Sequence, residues 1–279
     1  MMMPGASRGL PDEAEARRLL EATGGRIVGP LHWLRDTSST NDEAKHAAKA
    51  GAPHGSIWVA ETQRAGRGRQ GRSWLGTAGE SLLCSFLLRL PCAPGRVPLV
   101  SLVAGLAVRD AVSACVPGAQ VMLKWPNDVW IDRKKVAGIL VESSLRGRQV
   151  ESVVVGIGVN VLTRVFPDEL ASIATSCALA AAPGQAPPSR AQLLAGIAQG
   201  LDRDVEHVVH RGAGIIRARL EAHDALRGLP VASEAGEGVA SGIDDEGKLL
   251  VQRADGVLCR WNAGEVHLRP ALPPSVSRQ

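Results

Sequence analysis

Three short apolar runs near the middle of the chain, Val121–Trp125, Val136–Glu142 and Val150–Val161, are rich in branched residues. Side chains branched at Cβ crowd a helix but fit a pleated surface, and runs of this length read as strands. Their nearly continuous apolar character, in place of strict alternation, predicts central strands with one face covered by helices. Leu31–Leu34, Ser56–Thr62 and Ser81–Leu90 add further strands.

Between the strands the period changes. Glu13–Ala22, stopped by Gly24 and Gly25, predicts a short helix, and Asn41–Ala50 predicts a second one capped by Ser39 or Thr40. Val97–Cys115 has helical spacing through Leu99, Leu102, Val103, Leu106 and Val112. Residues Ala178–Ser189, with Pro183, Pro187 and Pro188, read as a loop. A long helix follows, marked by Leu193, Leu194, Ile197, Leu201, Val205 and Val208, and another is expected over Ile215–Leu226. The class is α+β, a mixed sheet with packed helices. Beyond Gly228 the signal becomes short strands and turns, so Pro230–Leu268 predicts a small all-β module. The expected division is an N-terminal extension over 1–28, a main domain over 29–226, a C-terminal domain over 227–270 and a tail over 271–279.

With 45% apolar and 22% charged residues in 279, the chain has the composition of a soluble globular protein. The longest mostly apolar stretch, Pro98–Val108, stops at Arg109 and Asp110, short of the roughly 20 residues a membrane span needs. The N-terminus lacks the charged start and apolar run of a secretory signal, so a cytoplasmic protein without membrane association is expected. Cys84, Cys92, Cys115, Cys177 and Cys259 are scattered and odd in number, which suits neither a disulfide framework nor a zinc knuckle.

The net charge is only +4, yet Arg64, Arg67, Arg69 and Arg72 fall within nine residues, interleaved with Gly66, Gly68 and Gly71. Glycine lets backbone approach a ligand, and arginine offers paired donors to carboxylate or phosphate oxygens, so Glu61–Trp74 reads as an anion-binding loop. The same glycines satisfy a dinucleotide fingerprint, but such a loop must open a helix, and Arg72–Gly76 does not begin one. An arginine-glycine RNA-binding segment would want aromatic partners, and the chain has no tyrosine and two phenylalanines. Gly242–Lys248 resembles the start of a P-loop, but Leu249 replaces the required hydroxyl and three acids would repel phosphate, so it reads as a turn. His207 and His210 share a helix without a third metal ligand.

Lys124-Trp125-Pro126-Asn127-Asp128, at the end of a predicted strand, places a cation, an amide and a carboxylate together, with Pro126 holding the chain extended and ending the strand sharply. Lys135 opens the strand that runs to Glu142. Gly156-Ile157-Gly158-Val159-Asn160 reads, by itself, as a core strand whose glycines relieve crowding.

In this order, Ser39-Thr40-Asn41, the GRGRxGRxW core of Glu61–Trp74, Lys124–Asp128, Lys135–Glu142, Gly156–Asn160 and a closing Gly264–Arg269 resemble the biotin protein ligases over about residues 31–269. The resemblance implies a catalytic domain related to class II aminoacyl-tRNA synthetases, a mixed sheet with helices on one side, followed by an SH3-like β-barrel. It implies ATP and Mg²⁺ as cofactors, biotin as substrate, and a biotin carboxyl carrier protein or domain of a biotin-dependent carboxylase as partner. It places biotin against Ser39, Thr40, Asn41, Gln63, Gly66, Arg67, Gly68, Arg69, Lys135, Gly138, Gly156 and Gly158. It places ATP against Arg67, Arg69, Arg72, Trp74, Lys124, Asn127, Lys135, Asn160 and Arg269, with Asp128 on Mg²⁺ and with Lys135 and Arg67 as catalytic residues. The family's bifunctional members carry a DNA-binding domain ahead of the catalytic one; only about 30 residues precede the first matching strand here, so the expectation is a monofunctional ligase without specific DNA binding, monomeric or weakly dimeric. A lipoate or octanoate ligase, sharing the fold, and an arginine-glycine RNA-binding protein are the alternatives.

Overall fold

The computed structural model describes residues 11–186, 188–262 and 266–268. Helices are α1 (Pro11–Thr23), α2 (Thr40–Lys49), α3 (Val97–Cys115), the single turns α4 (Asp168–Ala171) and α5 (Cys177–Ala180), α6 (Arg190–Arg211) and α7 (Arg217–His223). Strands are β1 (Leu31–Thr37), β2 (Ile57–Gln63), β3 (Ser81–Leu88), β4 (Val121–Lys124), β5 (Asp128–Ile131), β6 (Lys134–Arg146), β7 (Gln149–Asn160), β8 (Pro230–Ser233), β9 (Gly236–Ile243), β10 (Leu249–Gln252), β11 (Leu258–Trp261) and β12 (His267–Leu268). The first seven strands form one sheet in the order β1-β2-β3-β7-β6-β5-β4. β1 and β2 run parallel and the other neighbours antiparallel, which makes the sheet mixed. β8–β12 form a separate antiparallel sheet in the order β11-β10-β9-β8-β12.

Alternation along the strands assigns the two faces of the large sheet. Val153, Val155, Ile157 and Val159 of β7, with Leu82, Cys84, Phe86 and Leu88 of β3, face the main core beneath α3 and α6. α6 starts with a reciprocal capping box between Ser189 and Gln192, and Gly200 brings it so close to α3 that an added methyl would lie 2.7 Å from the Ala107 side chain. α2 lies on the opposite face, over Trp58, Leu87 and Val154. That face is therefore only partly covered, and its open portion carries the site.

Three sequence expectations change. Val121–Lys124 is an edge strand: its side chains alternate between buried and half-buried, because α3 covers one face only. The strand ends sharply before Pro126 as expected, but Trp125–Asn127 does not run on extended and instead closes a tight hairpin, with Lys124 and Asp128 as cross-strand partners. Pro126 has no N–H for a ladder, so pairing breaks there and resumes at Asp128. Ile215–Leu226 is divided into a 3₁₀ turn, Ala213–Ile216, and the short α7, followed by an irregular stretch in which Asp224 bridges Leu123 of β4.

α3 with its leading turn, 94–115, is long and apolar enough to cross a membrane by length and composition, which the sequence count from Pro98 to Val108 understated. Here Leu99, Leu102, Val103, Leu106 and Val112 are buried in the core that α3 shares with the sheet and α6. Arg109 and Asp110 at its polar edge are ion-paired with each other and, through Asp110, with Arg203 and Arg219. All five cysteines are free thiols, and burial pushes Cys177 up to about 12.

Candidate active site

Register decides what the open face presents. Ser85 of β3 pairs Gly156 of β7, which pairs Leu140 of β6; Leu83, Gly158 and Gly138 form the next row. Strand glycines at 156, 158 and 138 leave a groove where other residues would fill it. A Cβ on Gly156 would sit 2.2 Å from Asn41 Oδ1, and one on Gly158 would sit 2.4 Å from the Trp74 ring. The glycines thus relieve crowding, as the sequence suggested, but the crowding comes from site residues and not from the core.

Ser39, Thr40 and Asn41 enter at the start of α2, where the Ser39 side chain makes no capping bond and its carbonyl accepts from the Asp42 and Glu43 amides. Gln63, at the end of β2, accepts at Oε1 from the Thr40 amide (2.7 Å) and hydroxyl (3.1 Å), leaving its amide nitrogen beside Gly66. Ser85 donates to Asn41 Oδ1 at 2.6 Å and lies 2.8 Å from Thr40 Oγ1, while Asn41 Nδ2 donates to Glu142 at 2.7 Å. Ser39, Thr40, Asn41 and Gln63, with Ile139, Leu140 and Ile157, line a cleft of about 500 Å³, while Glu142 and the buried Ser85 fix Thr40 and Asn41 from outside it. An apolar wall with a few fixed polar groups is what a small ring bearing an amide-like head requires.

A second cavity, about 570 Å³, adjoins the first and shares Gly68, Arg69, Trp74, Asn127 and Lys135 with it. Arg69, Arg72, Lys124 and Lys135 line it against Asp128, the one carboxylate among its described lining residues. Lys135 Nζ lies 2.7 Å from Asp128 Oδ1 and 5.5 Å from the Trp74 ring centroid. Burial pulls the Lys124 ammonium below the ordinary lysine range, opposed by Asp128 and reinforced by Lys135 and Arg72. Burial also pulls Arg69 down, with Asp128 opposing. Four cations converging on one carboxylate make a site for a polyanion.

The glycine-arginine loop spans both cavities. Gly68 N–H donates to Arg72 O and Trp74 N–H to Gly66 O, so the loop folds on itself as a small hairpin. Its two central arginines diverge. Arg69 reaches Asn127 Oδ1 at 3.2 Å, and Asn127 in turn donates to the Ile139 carbonyl. Arg67 instead makes two 2.6 Å bonds to Asp42.

Of the residues the sequence singled out, Ser39, Thr40, Asn41, Gln63, Arg67, Gly138, Gly156 and Gly158 line the first cavity, Arg72, Lys124 and Asp128 the second, and the shared residues both. Two lie elsewhere. Gly66 contributes a backbone carbonyl to the loop hairpin, and Asn160 lines neither cavity: its buried amide donates to the Thr175 carbonyl, in a segment whose backbone pairs with Lys135. Arg269, with Gly264 and Glu265 of the closing motif, lies outside the described residues. Sequence reasoning missed Asp42, Ser85 and the role of Trp125. Asp42 and Ser85 carried no local signal beyond ordinary polar residues. Trp125 is buried and donates from its indole to the Gly247 carbonyl (2.9 Å), which fastens the site hairpin to the β9–β10 turn.

The mixed sheet, the arginine-glycine loop and the glycine-floored groove lie within one protein class: the model of the biotin/lipoate A/B protein ligase family matches residues 33–160, and that of the biotin protein ligase C-terminal domain matches 233–269. A biotin--[acetyl-CoA-carboxylase] ligase of Paracoccus denitrificans is 37% identical over 236 residues, 78% of this chain and 92% of the relative. The ligase of that name from Mycobacterium tuberculosis is 35% identical over 253 residues, covering 86% and 89%. Among solved structures, a biotin protein ligase from Aquifex aeolicus in complex with biotin and ATP superimposes with a TM-score of 0.71 at 29% identity, covering 86% of this chain and 98% of that one. The chain belongs to the biotin protein ligase family.

Proposed function

We propose that this protein is an ATP-dependent biotin protein ligase, which joins biotin and ATP into biotinyl-5′-AMP and diphosphate and transfers the biotinyl group to a lysine of a biotin carboxyl carrier protein or domain. The observation that carries the reading is the pair of adjoining cavities with Lys135 and Arg69 on their shared wall. A carboxylate and a triphosphate repel each other, so their reaction needs cations at the seam between them and a fixed line of attack. Biotin would occupy the glycine-floored cleft, its ureido ring against Ser39, Thr40, Asn41 and Gln63, with Ser85 orienting Thr40 and Asn41 from behind. The nucleotide would occupy the cationic cavity, with Lys124 and Arg72 on its phosphates.

Lys135 would stabilise the carboxylate and the α-phosphate as charge builds between them. Asp128 supplies a single carboxylate, and no group of three or more acidic, histidine or cysteine side chains forms among the described residues. That suits Mg²⁺ held largely by phosphate oxygens and water, with Asp128 as its protein contact, where it would neutralise phosphate charge. The loop, closed over both cavities, would keep water and stray amines from the mixed anhydride until the acceptor lysine arrives. We assign residues 29–226 to catalysis and 227–270 to a C-terminal domain, expect action in the cytoplasm where ATP and reduced thiols coexist, and expect a monomer or weak homodimer.

Incorporation of labelled pyrophosphate into ATP tests the reading: label should enter ATP only when biotin is supplied. Exchange driven by lipoate or octanoate instead would replace it with the sister activity.

A further inference from the structure

Resting on that reading, we infer that Asp42 is a positioning residue which holds the glycine-arginine loop closed by clasping Arg67. The backbone hydrogen bonds of Gly66–Trp74 close within the loop, so its hold on the domain is made by side chains. The entry is tied to β1: the Arg64 and Ala65 amides donate to the Thr37 and Ser38 carbonyls, and Arg64 pairs with Asp36. Further along, Arg67 meets the first turn of α2, where both of its terminal nitrogens bond Asp42 oxygens at 2.6 Å.

The clasp is charge-balanced. Lys45 bridges Asp42 (2.9 Å) and Glu142 (2.7 Å), and Glu142 lies 3.7 Å from Arg67, so two cations interleave with two carboxylates. The Arg67 bonds hold the Asp42 carboxyl far below the usual range. The second Glu142 oxygen accepts from Asn41, which joins the clasp to the polar floor of the acid cleft. Planar, paired contacts of this kind fix orientation as well as distance, so Asp42 acts on the reaction through where it keeps Arg67 and the loop, touching no reacting atom itself. Its chemical consequence lies in retention: an open loop lets biotinyl-5′-AMP escape and acylate any nearby lysine.

The test compares wild type, D42N and D42E after one turnover with biotin and ATP. D42N should release the adenylate about tenfold faster, a size suited to a partly exposed bidentate pair, and biotinylate bystander protein in proportion, while formation of the adenylate slows less than its release accelerates. D42E should restore retention. In wild type, 1 M salt should raise release toward the D42N level, with little further effect on D42N itself. Hydrogen exchange of the Gly66–Trp74 amides reads the clasp without substrate, and in wild type without any variant: opening should quicken with salt and with D42N. Unchanged loop exchange and adenylate retention in D42N overturn the inference. Absence of biotin-dependent pyrophosphate exchange in wild type would instead overturn the ligase reading, and loop exchange would still decide the clasp.

Discussion

Lys135, on the wall that the two cavities share, forms a 2.7 Å ion pair across the β5–β6 hairpin with Asp128 of the second cavity. Bound anions would compete with Asp128 for the same ammonium, so the lysine is preorganised with a counterion that substrate can relieve. Neither residue needs to travel far, since both are held by paired strands.

Lys135→Ala should slow adenylate formation by roughly 10²–10⁴-fold, the size expected when a contact that strengthens in the transition state is lost. Single-turnover formation of biotinyl-5′-AMP measures it directly, and the loss should fall on the rate at saturation more than on biotin affinity. A variant forming adenylate at near-normal rate would remove Lys135 from the chemistry.

Gly156→Ala should abolish detectable biotin binding in calorimetry while costing about 1–3 kcal/mol of stability, because the new methyl must displace the Asn41 amide at the base of the cleft. Undiminished affinity would show that the polar floor does not hold the ligand.

Arg190 and Glu61 join α6 to β2 through two bonds of 2.7 and 3.0 Å, and both side chains are largely buried. Burial pushes the Glu61 carboxyl up, but hydrogen bonds from Arg190 and Trp33 outweigh it and its pKa falls. A depressed carboxylate contributes stability that is present above its unfolded pKa and lost as pH falls through the folded one. Arg190→Met should therefore cost about 3–5 kcal/mol near neutrality, and its deficit against wild type in urea unfolding should shrink as the solution is acidified below the ordinary glutamate range. A deficit independent of pH would mean that lost packing, and not the charge pair, explains it.

The β5–β6 hairpin turns through Asp132 and Arg133 at φ 49° and 65°, left-handed conformations that side chains resist. Glycine is favoured at the second position of such two-residue turns, so Arg133→Gly should raise stability by about 0.5–1 kcal/mol, seen as a Tm higher by about 1–2 °C. An unchanged or lower Tm would place a compensating contact at Arg133.

The sequence determined by itself what depends on near neighbours. Branched runs became strands, α3 began and ended where its spacing said, and Gly242–Lys248 is a turn closed by Asp244 accepting from the Glu246 and Lys248 amides. The ordered motifs also marked most residues that line the two cavities. Tertiary structure alone decided which of them cooperate. Asn41 and Glu142 are 101 positions apart, and Arg67 meets Asp42 from 25 residues away, because sheet order and register bring β6 beside the start of α2. The same packing turned Asn160 toward Thr175 and away from the cavities. Periodicity reports the local balance of backbone and side chain, whereas a partner across the sheet depends on how the whole core packs, and residue spacing carries no trace of it.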